Sequence, residues 1–274
     1  MKKYTLTLLL TAAPLFAGTQ APVVTPQANT EQGWTLGVEP MAMRTYISES
    51  NASNNYNFAG RGSLGYQFAD GLFVTATYFG YGGDLVDHTE QFETYTHHDS
   101  GSLSASYIDL VLGQNFKPTE TLKLSPFVGL RWAASQAGAT TFHTNIEPGS
   151  ITFPESVYRN DVQGLGIVLG MEATRALGND FSIYGTVKQS VIFGTSKYAS
   201  GNSNEYSSDT VVSISELGLG VQYDFCFSGV ASNIRLGVEG QWWALSGNNN
   251  FSDGGASSGN VGLAGFVMAA NFRF

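Results

Sequence analysis

The stretch Phe58-Ala-Gly-Arg-Gly-Ser-Leu-Gly-Tyr-Gln-Phe68 decides the fold class, because its side chains alternate in character from one residue to the next. One parity carries aromatic and aliphatic residues separated by glycine, and the other carries Arg61, Ser63 and Gln67. A period of two is the period of a β-strand, in which successive side chains point to opposite faces. The stretch therefore predicts a strand with one apolar face and one polar face.

The same alternation recurs along the chain. Leu165, Ile167, Leu169 and Met171 form an apolar series in one segment, and we assign Gln163 and Glu172 to its polar face. Ten segments of this kind are recognisable, at 34–47, 57–68, 72–82, 103–116, 122–136, 161–175, 181–195, 211–224, 234–246 and 261–274. Each is long enough for the roughly 9 to 11 residues with which a tilted strand crosses a bilayer.

The connections between these segments alternate in length. Short ones are predicted at 69–71, 117–121 and 176–180, and long polar loops at 83–102, 137–160, 196–210 and 247–260. Short turns on one side and long loops on the other are typical of outer-membrane barrels. We therefore predict an all-β fold over residues 34–274, a transmembrane antiparallel up-and-down β-barrel of about ten strands, within a range of 8 to 12.

Composition supports a membrane environment. Charged residues make up 13% of the chain and apolar residues 42%, whereas soluble domains carry about 25% charged residues. The alternative is a soluble β-sandwich or lipocalin-like barrel, whose polar parity would face water. Two features weigh against it: the polar parity is rich in Gly, Ser, Thr and Gln, and aromatic residues gather at strand ends, where a membrane interface would place them.

The N-terminus predicts export. Lys2 and Lys3 precede an apolar run from Leu6 to Phe16 and the small residue Ala17, which is the pattern of a cleaved secretory signal peptide over residues 1–17. We expect residues 18–33 to form a flexible periplasmic arm. Without the signal peptide, 11 basic residues face 22 acidic ones, and this balance disfavours nucleic acid as a partner. The expected location is the bacterial outer membrane.

Several segments of the later chain resemble the Legionella-type major outer membrane protein family. They are Tyr107-Ile-Asp-Leu-Val-Leu-Gly-Gln-Asn-Phe116, Leu122-Lys-Leu-Ser-Pro-Phe-Val-Gly-Leu-Arg-Trp132, Phe181-Ser-Ile-Tyr-Gly185, Glu216-Leu-Gly-Leu-Gly-Val-Gln-Tyr-Asp-Phe225 and Ile234-Arg-Leu-Gly-Val-Glu-Gly-Gln-Trp-Trp243. The resemblance implies a pore-forming, porin-like protein that allows the passive passage of ions or small solutes. Lipid of the outer membrane would surround it, and a homo-oligomer is possible.

Charged residues on the inward parity are the candidate site. Those predicted to line a pore are Arg61, Asp109, Arg131, Glu172, Lys188, Glu216, Arg235 and Glu239. In an open lumen they would form a constriction whose electric field sets ion preference. In a filled lumen they would be buried salt-bridge partners, and the protein would be a closed barrel that acts as a structural anchor or binds a partner at the cell surface.

The chain ends in an alternating strand whose apolar parity includes Phe272 and Phe274. A terminal aromatic residue on such a strand resembles the signal that outer-membrane barrels present to their assembly machinery. We therefore expect Phe272 and Phe274 to form an assembly signal, with that machinery as a partner.

The predicted loop 83–102 concentrates groups that could act as acids, bases or metal ligands. They are Asp84, Asp87, His88, Glu90, Glu93, His97, His98 and Asp99, and His143 lies in another predicted loop. A catalytic pair must be held rigidly within hydrogen-bond reach, so a solvated loop is the favoured interpretation and a rim-site outer-membrane hydrolase the weaker alternative. We predict no enzyme, no cofactor and no metal site.

Overall fold

A computed structural model describes residues 32–47, 55–91, 95–145, 153–200, 205–246 and 260–274. The predicted signal peptide and all but the end of the predicted arm lie outside these residues. The strands are β1 (Gly33–Ile47), β2 (Asn57–Gln67), β3 (Leu72–Gln91), β4 (Tyr95–Gln114), β5 (Leu122–Asn145), β6 (Phe153–Gly178), β7 (Phe181–Ser200), β8 (Tyr206–Phe227), β9 (Val230–Ser246) and β10 (Val261–Arg273). Among the described residues, no helix is long and apolar enough to cross a membrane.

The ten strands close into a single antiparallel barrel. Each strand pairs with its neighbours in the sequence, and β1 pairs with both β2 and β10. Closure gives every strand two partners over the barrel wall. Beyond the wall, β3 from Gly82 onward pairs only with β4, and β8 before Val211 pairs only with β7. The predicted ten-stranded up-and-down barrel is confirmed.

Two very tight turns fix the register at one end of the barrel. Asn179 and Asp180 both have positive φ, 52° and 64°, and lie between the paired residues Gly178 and Phe181. A two-residue type I′ turn requires positive φ at both central positions, which Asn and Asp tolerate better than other non-glycine residues. Ser228 and Gly229, with φ of 51° and 82°, connect β8 to β9 in the same way. This end carries the short turns and is the periplasmic end.

The opposite end differs from the prediction. Most of the residues assigned to long loops at 83–102, 137–160 and 196–210 are strand, because β3 to β8 are 20 to 26 residues long. The predicted loops are therefore wrong over these residues, and 247–259 lie outside the described part. Polar, Thr- and Tyr-containing strands can continue into water because neighbouring strands satisfy their backbone hydrogen bonds.

The apolar parity faces outward. Leu110 of β4 and Leu169 of β6 are 55% and 56% exposed, and many other large apolar residues around the wall are also exposed. Such a continuous exposed apolar surface fits lipid and excludes the soluble alternative. The assignment of Gln163 to the inward face is wrong: it has the same parity as Leu165 and is exposed on the outer wall.

Aromatic side chains form a girdle near the turn end. Trp34 packs against Tyr66 with ring centroids 5.3 Å apart, and Tyr66 packs against Phe68 at 5.0 Å. On the other side of the barrel, Phe181 packs against Tyr223 at 5.0 Å. This placement at the headgroup boundary is typical of outer-membrane barrels.

The C-terminal residue completes the seam between β1 and β10. The backbone N–H of Phe274 donates to the carbonyl oxygen of Trp34 at 3.0 Å, while the Phe274 side chain is 63% exposed.

If the Phe274 ring is an assembly signal, Phe274→Ser should leave exported, protease-sensitive chain in the periplasm. It should barely change the stability of barrels refolded in detergent, because the exposed ring contributes little packing. Normal insertion of the mutant at native expression would contradict this expectation.

Candidate functional site: the barrel lumen

Three layers fill the lumen between the periplasmic and the outer end. A polar cavity occupies the periplasmic half, a network of charged side chains crosses the middle, and apolar side chains lie on the outer side of that network. We call these the vestibule, the charge layer and the apolar layer. Each arises from the inward parity of the strands, which is odd in β1 to β5, β9 and β10 and even in β6 to β8.

Arg61 of β2 is one centre of the charge layer. Its Nη1 lies 2.7 Å from Glu39 Oε2 on β1, and its Nη2 lies 2.6 Å from Glu239 Oε1 on β9. Nη1 also donates to Glu239 Oε2 at 3.0 Å, so the contact with Glu239 is bidentate. A planar guanidinium suits such a geometry, which adds direction as well as strength to the pair.

Arg131 of β5 is the second centre and has an exposed fraction of 0%. Its Nε and Nη2 donate to the two carboxylate oxygens of Asp109, each at 2.6 Å, and Nη1 donates to Glu216 Oε1 at 2.5 Å. Its guanidinium also lies 3.8 Å from the centroid of the Tyr107 ring. Arg131 is thus enclosed by two carboxylates and an aromatic face.

Glu216 and Tyr107 join the two centres. The Tyr107 hydroxyl donates to Glu216 Oε2 at 2.8 Å and accepts from Arg61 Nε at 3.2 Å. Lys188 Nζ lies 3.6 Å from the same Glu216 oxygen. Because Glu216 is 4% exposed and Tyr107 is fully buried, these contacts form in a region from which water is largely excluded.

The charge layer reaches across the barrel. It contains three cations, Arg61, Arg131 and Lys188, and four anions, Glu39, Asp109, Glu216 and Glu239, a formal balance of minus one. These residues come from seven strands, β1, β2, β4, β5, β7, β8 and β9. Side chains from opposite walls therefore meet in the middle of the lumen.

The vestibule is a cavity of about 710 Å³. Its walls run from Lys117 and Arg273 at the turn end up to Arg61 and Asp109 in the charge layer. Within it, Arg235 forms a bidentate pair with Glu172, at 2.7 and 3.0 Å. The vestibule therefore has polar, charged walls and ends at the charge layer.

The apolar layer lies on the outer side of the charge layer. Phe79 and Tyr107 stack with ring centroids 4.9 Å apart, and Met43, Ile214 and Leu263 are at most 1% exposed. The other members of this cluster include Met41, Ala59, Tyr81, Leu103, Ala105, Ala133, Val162, Ile192, Val212, Trp243 and Val267. These side chains come from strands on different sides of the barrel and pack against one another within the lumen.

The structure places all eight predicted inward charges on the lumen side of the barrel wall. Arg61, Asp109, Arg131, Lys188, Glu216 and Glu239 meet in the charge layer, whereas Glu172 and Arg235 pair in the vestibule. Their role in lining a conducting pore stays a prediction. Sequence reasoning missed Glu39, Tyr107 and the whole apolar layer. The signal for that layer was the presence of adjacent apolar residues such as Val211-Val212 and Trp242-Trp243. Because neighbouring residues of a strand point to opposite faces, one residue of each pair must point into the lumen.

The described residues of this region, 83–91 and 95–102, form the outer parts of β3 and β4. The side chains of Asp87, His88, Glu93, His97 and His143 lie outside the described part of the structure. His98 shares a hydrogen bond of 2.8 Å with Thr89 Oγ1, and its ring stacks on Phe142 with centroids 6.4 Å apart. This histidine has a structural role in joining three neighbouring strands.

The closed barrel, the outward apolar belt and the aromatic girdle define an integral β-barrel protein of the outer membrane. Residues 15–274 match the model of the family described as Legionella pneumophila major outer membrane protein precursor, and the chain belongs to this family. The predicted family resemblance is thereby confirmed. A search of curated proteins finds no match.

Two solved outer-membrane proteins are similar to this chain. The outer membrane protease OmpT from Escherichia coli is 12% identical, with a TM-score of 0.52, 92% of this chain covered and 99% of that chain. A major outer membrane protein from Thermus thermophilus is also 12% identical, with a TM-score of 0.39 and coverages of 88% and 99%. At such identities the likeness to the protease concerns the fold alone.

Proposed function

We propose that this protein is a closed outer-membrane barrel that acts as a structural anchor and presents the outer parts of β3 to β8 at the cell surface, where they are available to partners. The observation that carries the proposal is the complete burial of Arg131 between Asp109, Glu216 and the Tyr107 ring. An open aqueous constriction would leave these groups hydrated. We further propose that the chain reaches the membrane through a cleaved signal peptide and acts without a catalytic step.

Passive passage of ions or small solutes is the second candidate. The vestibule of about 710 Å³ favours it, because a polar cavity covers half of the path that a porin would need. Passage would then require the charge layer and the apolar layer to separate. The family's name concerns location and abundance in the membrane, so it is compatible with both candidates.

Planar-bilayer recording of refolded protein distinguishes these functions. We expect the wild type to insert, as shown by heat-resistant migration on a gel, and to remain electrically silent at moderate voltage. Stepwise openings, with a reversal potential that Asp109→Lys shifts toward anions and Lys188→Glu toward cations, would establish a pore and remove the closed-barrel proposal. Loss of heat-resistant folding in both variants, together with an electrically silent wild type, would support the closed-barrel proposal.

A further inference from the structure

A second cavity, of about 320 Å³, lies on the outer wall of the barrel and not in its lumen. Its walls come from β4, β5, β6 and β7. Most of the lining side chains have the outward parity of their strands: Ser104, Ser106, Ala134, Gln136, Asp161, Gln163, Thr195 and Lys197. We call this cavity the outer groove. Because its lining is polar and faces outward, it serves neither the lumen nor the apolar belt.

The strand registers fix the height of the outer groove. Ile108, Trp132, Leu165 and Phe193 are directly paired from strand to strand and form an apolar row. Two residues farther from the periplasmic end, the same pairing aligns Ser106, Ala134, Gln163 and Thr195, and the next outward row aligns Ser104, Gln136, Asp161 and Lys197. The wall thus changes from apolar to polar within one step of about 7 Å. This step marks the boundary between the acyl chains and the headgroups of the outer leaflet.

The groove is concave because of its side chains. Ser106 and Ala134 are small, whereas Trp132 and Phe193 in the apolar row are large. The hydroxyls of Ser104, Ser106 and Thr195 and the amides of Gln136 and Gln163 supply donors and acceptors without net charge. Such groups can both donate hydrogen bonds to sugar hydroxyls and accept hydrogen bonds from them.

Charge is present in the outer groove but is easily rearranged. Lys197 Nζ lies 3.0 Å from Glu205 Oε1, and Arg159 Nη2 lies 2.8 Å from Asp161 Oδ2, next to the groove. Both cations are more than half exposed, at 51% and 59%. Exposed ion pairs contribute at most about 1 kcal/mol, so either cation can turn from its carboxylate toward a phosphate, with the carboxylate of Asp161 in the lining opposing the phosphate.

We propose that the outer groove binds the saccharide-phosphate headgroup of an outer-leaflet glycolipid, whose acyl chains lie against the apolar row of Ile108, Trp132, Leu165 and Phe193. The position of the groove, directly continuous with the lipid-facing belt, determines the occupant: a ligand there must be polar at one end and apolar at the other. The hydroxyl and amide lining selects a sugar, and Lys197 and Arg159 select its phosphate. This inference is independent of whether the lumen conducts.

The chain offers a matched pair of variants for the test. Ala134 lies two residues beyond the lipid-facing Trp132 on β5 and lines the groove. Ala244 lies two residues beyond the lipid-facing Trp242 on β9, outside the groove. Ala134→Trp fills the cavity, and Ala244→Trp places the same ring at an equivalent position elsewhere. Both rings suit a headgroup boundary, so both variants should fold.

The measurement is binding of the glycolipid Kdo2-lipid A by native mass spectrometry and by titration of the full chain in phosphatidylcholine nanodiscs. We expect Ala134→Trp to weaken binding about tenfold, the effect of losing roughly two net hydrogen bonds, and Ala244→Trp to leave it unchanged. Lys197→Gln should weaken binding of the bis-phosphorylated lipid more than that of a dephosphorylated one.

Three results would overturn the proposal. Equal binding by the wild type and Ala134→Trp would show that the groove is not the site. Equal displacement of the glycolipid by phosphatidylglycerol would show that the sugar is not recognised. Equal losses in Ala134→Trp and Ala244→Trp would indicate a general effect of an added ring at the membrane boundary. If Ala134→Trp fails to fold, Lys197→Gln still tests recognition of the phosphate.

Discussion

Replacing Arg131 with Met is expected to lower the free energy of unfolding by about 3 to 5 kcal/mol, the cost of leaving a buried charge without its partner. The variant removes the bidentate contacts to Asp109 and the contact to Glu216, both nearly inaccessible to water. Glu216 keeps Arg61 and Lys188 as partners, whereas Asp109 has no other partner at comparable distance among the described contacts. Urea unfolding of barrels refolded in detergent measures the difference.

The matched control is Arg159→Met. Arg159 also forms a close pair with a carboxylate, that of Asp161, but its side chain is 59% exposed on the outer wall. Its loss should change stability by no more than about 1 kcal/mol. Adding Asp109→Asn to Arg131→Met should restore part of the lost stability, because it removes the unpaired carboxylate. If Arg131→Met lowered the free energy of unfolding no more than Arg159→Met does, the charge layer would be accessible to water. Passage of ions or solutes through the lumen would then be the better supported function.

Introducing a charge into the lipid-facing belt should have the second large effect. Leu110→Arg or Leu169→Arg places a guanidinium against the acyl chains near the middle of the wall, at an expected cost of about 2 to 4 kcal/mol or a failure to assemble. Both leucines are more than half exposed although apolar. Heat-resistant migration on a gel measures assembly.

Gln163→Arg is the control for the belt. Gln163 faces outward like Leu169 of the same strand, β6, but lies in the polar row beyond Leu165. An arginine there reaches the headgroups, so we expect normal assembly. Normal assembly of both Gln163→Arg and Leu110→Arg would contradict the placement of the lipid-facing belt. Failure of both variants to assemble would place the membrane boundary farther out along the wall.

The parity of the strands was readable from the sequence because lipid imposes a strict alternation. Leu110 and Asp109 are neighbours in the sequence, and the structure places Leu110 on the lipid-facing side and Asp109 in the lumen, as predicted. The limits of the strands were not readable, since the membrane stops imposing apolar residues where the wall enters water. Outer segments such as 196–200 have the composition of loops and the structure of strands. Gln163 was misassigned for a related reason: beyond the belt, polarity no longer identifies the inward face.

Whether the lumen is filled could not be decided from the sequence either. Arg61 and Glu239 are 178 residues apart and meet only because the barrel closes. An inward charge has the same sequence pattern in an open channel and in a buried network. The difference depends on the side chains that reach across from the opposite wall, here Glu216 and Tyr107.

The apolar layer has a consequence for the chain before it closes. Two segments have apolar side chains that contact lipid on one face and lie in the lumen on the other face: Val191-Ile192-Phe193 and Val211-Val212. Until both surroundings exist, these segments are uncharged, rich in β-branched residues and uncovered on two sides, which is the composition of self-associating strands. The chain in transit is therefore prone to aggregation in its second half, and its yield should depend on the periplasmic chaperones that hold it unfolded.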